Sequence, residues 1–409
     1  MYERVRRCIS ISRYGTISLM KIVIVGGGFG GVKAALELSE NTHYQITVVS
    51  KDKSFQYYPT LFSTATGHSH RESWVPLEHI FRNKRNIEVV YDTITKVEPE
   101  EKYVKGESGE KYRYHNLILA LGSVTTYFGI PGLNTYSYGI KSESEIRALQ
   151  KHLFKEMEDG KDDESHYVII GGGATGVELA GALGTYVRTL RKHFGIRKKS
   201  VRINLVEAAP RLLPRMSKAT SKSAARRLRQ LGVHVETNRR VEKQTAHAIV
   251  VNGKPINTQT VIWTSGVANP PFYEANKGHF ELDKRGKVVV NEYMLALPHV
   301  YVIGDNAATP YAGLAQTALH DAIFVAKHIK GGTMPYKAID PPCIVPIGKN
   351  WSLFEWKWMH FSGWPANVLR HAADIIGYND VLPFGRAIGA WRARSVAELR
   401  IPDSFSQSD

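Results

Sequence analysis

From Lys21 onward the chain alternates short, β-branched apolar runs with longer stretches that have helical periodicity. "KIVIV" reads as a buried strand, Val32 to Glu40 as a helix, "QITVV" (Gln45 to Val49) as a second strand, and "NIEVVYDTITKVEP" as further strand material. "YHNLILALG" (Tyr114 to Gly122) ends this cycle on a strand and a glycine. A polar linker follows, "KSESE" and then, after a helix, "EMEDGKDDESH". The cycle then restarts with strand "YVIIG" (Tyr167 to Gly171), a helix from about Gly176 to Arg191, and strand "RINLVE" (Arg202 to Glu207). "TVIWTSGVA" (Thr260 to Ala268) closes the second cycle as "LILALGS" closes the first, so the fold unit is duplicated within the chain. Strand-helix-strand order predicts parallel sheets with helices on their faces. Beyond lie "HVYVIGDNAA" (His299 to Ala308), a helix from Ala315 to Ile329, and a tail of different composition.

Length and composition narrow the class. At 409 residues the chain is long enough for two or three domains, and 43% hydrophobic with 22% charged residues is ordinary globular usage. Cys8 and Cys343 supply neither a disulfide framework nor a CxxC pair. No run of about 18 apolar residues is present, which argues against a transmembrane helix. Residues 1–19 lack the apolar region of a secretory signal, and Met20 is read as a start that leaves them a disordered extension. The net charge of +16 invites an anionic partner, either nucleic acid, a phosphate-rich ligand or an acidic membrane face. No nucleic-acid module accompanies it, so nucleic acid is not expected.

The chemistry begins with two glycine motifs, Gly26-x-Gly28-x-x-Gly31 and Gly171-x-Gly173-x-x-Gly176, each between a strand and a helix. The first glycine makes the tight turn, the second lets a pyrophosphate approach the backbone, and the third lets helix and strand pack closely. The helix N-terminus then offers N–H groups to the phosphates. One such motif is weak evidence; two, each followed by a second strand, predict two bound dinucleotides. Glu207 ends the second strand of the second copy, where a carboxylate accepts both ribose hydroxyls and repels a 2′-phosphate; this predicts NADH, with a solvated glutamate as the alternative. Ser50, followed by Lys51, stands at the equivalent place in the first copy.

With "VYVIGDNAA" added, the sequence resembles the two-dinucleotide flavoproteins, whose Gly-Asp motif binds the ribityl chain of FAD; Gly304 and Asp305 would do so here. The redox cysteine pair of the disulfide reductases is missing. "GGGATGVELAGAL", "VEAAPRLLPRMS", "VIWTSGVANP", "AQTALHDAIFVAKHIKGG" and "YPTLFSTATG" resemble the type II NADH dehydrogenases, single-subunit, non-pumping NADH:quinone oxidoreductases of the membrane surface. That resemblance implies an α/β fold of two Rossmann-like dinucleotide-binding domains, a discontinuous FAD domain (20–135 and 267–330) with the NADH domain (136–266) inserted. A C-terminal region (331–409) would associate with membrane or form a dimer. Hydride would pass from NADH to FAD and electrons on to a membrane quinone, with no metal required. The alternatives are a sulfide:quinone or soluble-acceptor reductase, and a redox sensor that signals by conformation.

The implied FAD contacts are Gly26, Gly28, Phe29, Gly30, Gly31, Ser50, Lys51, Thr64, Gly122, Gly304, Asp305, Ala315 and Gln316. Those for NADH are Gly171, Gly173, Thr175, Gly176, Glu178, Glu207 and Gly266. Glu178 would orient the nicotinamide or relay a proton, Gln316 would line the quinone end of the flavin, and His320 would supply a proton to the reduced quinone. Packing or a plain helix-surface position is the competing reading for each. Tyr58, Pro59 and Thr64 to Gly67 would cover the flavin. The family commonly continues its Ala-Gln pair with a further glutamine and a glycine, whereas this chain has His320, Asp321 and Ala322, which puts the quinone site in question.

Four of the seven tryptophans fall between Trp351 and Trp364, and "FGRAIGAWRARSVAELR" sets Ile388 and Trp391 among Arg386, Arg392, Arg394 and Arg400. Tryptophan and arginine suit the lipid headgroup boundary and equally a homodimer interface. "VRTLRKHFGIRKKSVR" and "RLLPRMSKATSKSAARRLRQ" each carry seven basic residues and no acid, so they fit an anionic lipid surface or solvated helix faces. The expected location is the cytoplasmic face of a membrane, peripherally bound.

Overall fold

The computed structural model describes residues 19–159, 164–196 and 200–398. The expected extension at 1–19, apart from Leu19, lies outside them, as do Cys8, Arg197, Lys198, Lys199 and Arg400.

The first cycle folds as β1 (Met20–Val25), α1 (Phe29–Leu38), β2 (Tyr44–Ser50), β3 (Ile87–Tyr91) and β4 (Asn116–Leu119). The second runs β5 (Ser137–Tyr138), α2 (Glu143–Asp159), β6 (Glu164–Ile170), α3 (Ala174–His193), β7 (Ser200–Val206), α4 (Lys218–Gln230), β8 (Val233–Glu236) and β9 (Thr260–Trp263). The chain then makes β10 (Leu295–Leu297), β11 (Val300–Val302) and α5 (Ala315–Ile329). The tail holds β12 (Cys343–Pro346), β13 (Ser352–Trp356), β14 (Met359–Gly363), α6 (Trp364–Asn379) and α7 (Phe384–Ala393). Helices α1 and α3 start two or three residues earlier than periodicity predicts, because the Gly28 and Gly173 carbonyls already accept helical hydrogen bonds from the Val32 and Val177 N–H groups.

Two open sheets result. One has six strands in the order β10-β11-β4-β1-β2-β3, parallel except for the β10–β11 hairpin at its edge. The other has five parallel strands, β5-β9-β6-β7-β8. In both, the strand that carries the glycine motif is flanked by its successor on one side and by the closing strand on the other. The crevice at the carboxyl end of such a strand is where open α/β sheets bind ligands. The stretch read as one strand region after Asn86 divides, with Ile94–Glu98 leaving to join a separate three-stranded antiparallel sheet.

The "KSESE" segment is not a plain linker. Ser142 accepts the Glu145 N–H on its hydroxyl at 3.3 Å, while Glu145 Oε2 accepts the Lys141 and Ser142 N–H groups at 2.6 and 3.0 Å. This reciprocal arrangement is a capping box, and it fixes where α2 begins.

The tail belongs to both cores. Val345, Ile347 and Leu353 pack with Leu179, Leu183 and Leu228 of the second unit. Tyr378, Val381, Leu382 and Ala387 pack with Phe55, Tyr57 and Ile80 of the first. It therefore braces the two sheets against each other as well as offering an outer surface. Leu61, Ala65 and Trp74, early in the chain, likewise pack into the second unit's core.

Asp321 is fully buried on α5, accepting the Gly304 N–H at 2.9 Å and the Tyr336 hydroxyl at 2.6 Å. The departure at His320–Ala322 thus has a structural role, since it anchors the Gly-Asp turn to the helix. Asp321→Ala leaves a buried amide and a hydroxyl unpaired and is expected to lower the unfolding free energy by about 2–4 kcal/mol in denaturant titration, with Asp321→Asn costing less.

Candidate dinucleotide sites and the buried charge cluster

The two glycine turns match in detail. Gly26 and Gly171 have φ of +120° and +115°, in the left-handed half of backbone space. A Cβ at Gly26 would strike the Ala120 carbonyl, and one at Gly31 or Gly176 would strike the carbonyl oxygen of Gly26 or Gly171. A Cβ at Gly28 or Gly173 would meet nothing within 4 Å. The middle glycine of each motif therefore faces open space at the first turn of its helix, where both α1 and α3 lack a side-chain cap. Their leading N–H groups and positive dipole ends point into that space, which is the arrangement a pyrophosphate needs. Gly30 serves packing, because a Cβ there would come 3.0 Å from Ile303 Cδ1.

The strand-end positions differ as the sequence indicates. Glu207 takes the Gly172 N–H at 2.5 Å and the Ala209 N–H at 2.6 Å, one on each carboxylate oxygen, so it is fixed beside the second turn with lone pairs to spare. The nearby Arg211 donates to the Leu213, Pro214 and Met216 carbonyls and to the Ser221 hydroxyl. Its guanidinium is thereby committed to the loop. Ser50 is buried against the first turn, where a Cβ at Gly27 would lie 2.6 Å from its Oγ, and it donates to the Asp52 carbonyl at 2.7 Å. Lys51 is exposed.

Asp305 follows β11. The Ser123 hydroxyl donates to Asp305 Oδ2, Lys141 Nζ donates to Ser123 Oγ at 2.7 Å, and Lys287 Nζ donates to the Asp305 carbonyl. Burial pushes the Lys141 ammonium below the usual lysine range, with Asp305 and Glu145 opposing and Lys287 adding to the shift. Tyr58 joins this group, with Lys141 Nζ 5.6 Å from its ring centroid. Sequence reading missed Ser123, Lys141 and Lys287; a Gly-Ser directly after the closing strand was the only available signal. Gly122 offers its carbonyl to Asn306 Nδ2 at 2.6 Å. Asn306 Oδ1 and Thr309 Oγ1 are buried with no partner among the described residues. An open glycine cradle, orphaned buried oxygens beside the Gly-Asp turn and an uncapped α5 N-terminus at Ala315 and Gln316 all fit a bound flavin dinucleotide.

Other named residues have different surroundings. Phe29 packs edge-on to Phe55 at 4.9 Å and beside Tyr57 at 5.5 Å, which leaves its backbone for ligand contact. The Thr64 hydroxyl is used by Ser73 at 2.8 Å, and its carbonyl accepts Gln150 Nε2 at 2.6 Å. Thr175 and Gln316 are exposed. His320 Nε2 lies 2.9 Å from the Lys337 carbonyl with its ring near Tyr336. Gly266, with φ of +79°, precedes a two-stranded ribbon in which Val267–Ala268 pairs with Val124–Thr125.

Glu178 is buried on α3. Arg370 Nη1 of α6 lies 3.8 Å from its Oε1, while Arg370 Nε donates to Asp374 Oδ2 at 3.0 Å and Nη2 to the Pro59 carbonyl at 2.7 Å. Burial pushes the Glu178 carboxyl up to about 8; Arg370 pulls it down and Asp374 adds to the rise. Sequence reading did not find Arg370, although an Arg-Asp pair four residues apart, within a helix that has no other Asp, Glu, Lys or Arg, is a visible signal. Cys343 stands alone, its thiol pushed up to about 11 by burial and then by Glu178 and Glu355, so it stays protonated at neutral pH.

Comparison with known proteins follows the same lines. The family described as pyridine nucleotide-disulphide oxidoreductase matches residues 20–322. The type II NADH:quinone oxidoreductase of Mycobacterium tuberculosis is 28% identical over 393 residues, covering 88% of this chain and 85% of that protein. That of Staphylococcus aureus is 27% identical over 359 residues, covering 81% and 88%. The structure of NDH2 from Plasmodium falciparum in complex with NADH shares the fold, with a TM-score of 0.81 at 17% identity over 92% of this chain and 98% of that one.

Because the middle glycines face open space, Gly28→Ala and Gly173→Ala are each expected to leave the unfolding midpoint nearly unchanged. Each should weaken one dinucleotide by about 10-fold or more, on the reasoning that a methyl displaces a charge-assisted phosphate contact worth about 1.5–3 kcal/mol. Titration calorimetry or fluorescence against each dinucleotide checks this.

Proposed function

The chain belongs to the pyridine nucleotide-disulphide oxidoreductase family, and from that footing we propose that it oxidises NADH and reduces a quinone, with FAD as resident cofactor and without pumping protons. The observation that carries this reading is the pair of uncapped, open glycine turns at the switch points of two parallel sheets. The relatives named type II NADH:quinone oxidoreductase span most of the chain and support the same assignment.

Bound FAD would supply a two-electron carrier, taking a hydride from NADH and yielding electrons to the quinone. The chain's own groups prepare that exchange. Gly26 to Gly31 and the first turn of α1 hold the FAD pyrophosphate, with Ser50 and Lys51 beside its ribose. Asp305, oriented by Ser123 and flanked by Lys141 and Lys287, accepts a ribityl hydroxyl, with Gly304, Gly122 and Thr64 shaping the wall. The N–H groups of Ala315 and Gln316 at the head of α5 stabilise negative charge at the far end of the ring. Gly171 to Gly176, Thr175 and Gly266 hold the NADH pyrophosphate and its approach, and Glu207 takes the adenosine ribose. Glu178, protonated at neutral pH by its burial, holds a proton where the two ligands meet, and Gln316 and His320 lie on the helix that borders the acceptor side. The domains run 20–135 with 267–330, and 136–266, in this reading.

The outer surface of the tail supports peripheral attachment to a membrane. Helix α6 is inverted, with Asn367, Arg370 and Asp374 turned inward and Trp364, Val368, Leu369 and Ile376 outward, the last 64% exposed. Trp358, Phe361 and Phe384 are exposed nearby, and Lys357 lies over the Trp356 ring at 4.8 Å. Among the described residues no helix is long and apolar enough to cross a membrane. An apolar face bordered by tryptophan and cations suits the headgroup boundary. It would place the protein on the cytoplasmic face, the anionic lipid surface being preferred over a homodimer.

Three measurements test the proposal. Stopped-flow mixing with NADH should bleach the flavin and a soluble quinone should restore it, whereas protein that is colourless and takes up no flavin overturns the assignment. Glu207→Ala should reduce the preference for NADH over NADPH by about 10–100-fold in kcat/KM, since one charge-assisted hydrogen bond is worth about 1.5–3 kcal/mol. Trp364→Ser with Ile376→Ser should release the protein from phosphatidylglycerol vesicles in co-sedimentation; unchanged sedimentation with a monomeric double variant and a dimeric parent would assign the face to self-association.

A further inference from the structure

A cavity of about 380 Å³ lies under the short helix Leu61–Ala65, between α3 and the tail. Its mouth is formed by exposed residues, including His68, Thr185, Lys349 and Asn350. Its floor is formed by buried ones, Glu72, Arg370 and Asp374. Many of the residues that line it carry polar or charged groups, including the three at its floor, and such groups give an entering water hydrogen-bond partners.

Glu72 is 1% exposed. The Ser63 hydroxyl bonds its carboxyl, and Glu72 Oε1 has no hydrogen-bond partner among the described residues. An ionised, half-satisfied carboxylate is costly at such a position, and the neutral acid is less so. The charged and titratable groups around it come from every neighbouring element. Arg370, His371 and Asp374 project from α6, and Arg394 follows α7, bonding Asp374 Oδ2 at 3.3 Å and His371 Nδ1 at 2.6 Å. Tyr378 donates to the Glu72 carbonyl at 2.5 Å, with Tyr57 stacked on Tyr378 at 4.1 Å. His70 on Glu72's own segment is held by Glu398 at 2.9 Å, and Glu178 stands across Arg370. Burial pushes Glu72 up to about 8, with Ser63, Arg394 and Arg370 pulling down and Asp374 pushing up. Glu178 and Glu72 are thus two buried carboxyls, both raised by burial, that feel the same Arg370–Asp374 pair.

Quinone reduction takes up two electrons and two protons. NADH brings both electrons and one proton as hydride, so one proton per turnover must come from water. We propose that this cavity is the inlet for that proton, and that Glu72 loads it at the floor and passes it past Arg370, which lines the cavity and lies beside Glu178, to Glu178. The inference rests on the reading of the chain as an NADH:quinone oxidoreductase. Glu178 gives its proton up to the reduced acceptor and is reprotonated from Glu72, which is refilled from water at the mouth, so each cycle moves one proton from water to the quinone and restores both carboxyls. Glu72 acts through Glu178 and is a positioning residue for the proton. The sign follows from its raised affinity: Glu72 carries the proton below about pH 8 and loses it above.

The test uses the FAD-loaded, full-length protein and its Glu72→Gln and Glu72→Asp variants. Glutamine copies the neutral acid in shape and keeps the fold but cannot release a proton. In the parent, flavin reoxidation by a soluble quinone should slow as pH rises through about 8. Glu72→Gln should lose that inflection and be slower by about 10-fold or more at neutral pH, with flavin bleaching by NADH much less affected and Glu72→Asp restoring an inflection. Infrared difference spectra of the parent should show protonated-carboxyl intensity that disappears between pH 7 and 9, and Glu72→Gln should remove part of that intensity and leave the part contributed by Glu178. An unchanged pH profile in Glu72→Gln, or carboxyl intensity that the substitution does not reduce, overturns the proposal. Failure of NADH to bleach the flavin would instead overturn the underlying function, while the infrared measurement still reports whether Glu72 holds the proton.

Discussion

The first N–H groups of a helix must find acceptors, and a helix without a side-chain cap at its start leaves them to water or to a ligand. Helices α1, α3 and α5 all begin this way, on Gly28, Gly173 and Leu314, whereas α4 begins on Ser217, whose hydroxyl accepts the Thr220 N–H. The contrast is local and chemical. Side-chain caps are missing elsewhere too, as on α6 and α7, so what sets α1 and α3 apart is an uncapped start that coincides with an open glycine turn at the carboxyl end of a sheet strand. Much else in the two units follows from keeping those termini open, including the left-handed turn at Gly26 and Gly171 and the close crossing allowed by Gly31 and Gly176.

The tail answers a different constraint. Two sheets joined by a ribbon of Val124–Thr125 and Val267–Ala268 would be free to move relative to each other if nothing else bridged them. Strands β12 and β13 with the turn between them bury apolar side chains on the second unit, helices α6 and α7 on the first, so a single segment holds both. Turning the charged face of α6 inward is part of the same solution. Arg370 reaches Pro59 of the covering segment, Asp374 of its own helix and Glu178 of the second unit. Removing one partner from such a buried set strands the others, so its loss is expected to cost stability as well as the link between the two units.

What was legible in the sequence was what the backbone dictates. Glycine spacing, apolar runs and the strand-end Glu207 all act within one turn of chain, so they are written locally. The surroundings of Asp305 were not legible, because Ser123 lies 182 positions away in sequence and meets Asp305 only through the pairing of β4 with β11. Arg370 and Glu72 were missed for the same reason, since a buried charge is recognisable only once its distant partners are in place. The segment at Lys141 to Glu145 shows the converse error. Its composition is that of a linker, yet its spacing is that of a capping box, and geometry decided between them.

Asp321 shows how a departure from a family pattern is to be interpreted. Read as a change near the quinone, it casts doubt on the acceptor; in the fold it faces away from solvent, bonding Gly304 and Tyr336. The residue that binds the Gly-Asp turn to α5 thereby fixes the distance between two of the flavin's proposed contacts, Asp305 and the N-terminus of α5. Burial pushes the Asp321 carboxyl above its usual range, opposed by Tyr336 and the Gly304 amide. A carboxylate held by those two donors is tied into the scaffold, so its presence constrains the cofactor site and carries no information about which acceptor the enzyme meets. Exposed apolar side chains lie elsewhere, on the outward face of α6, and Gln316 is exposed at the head of α5.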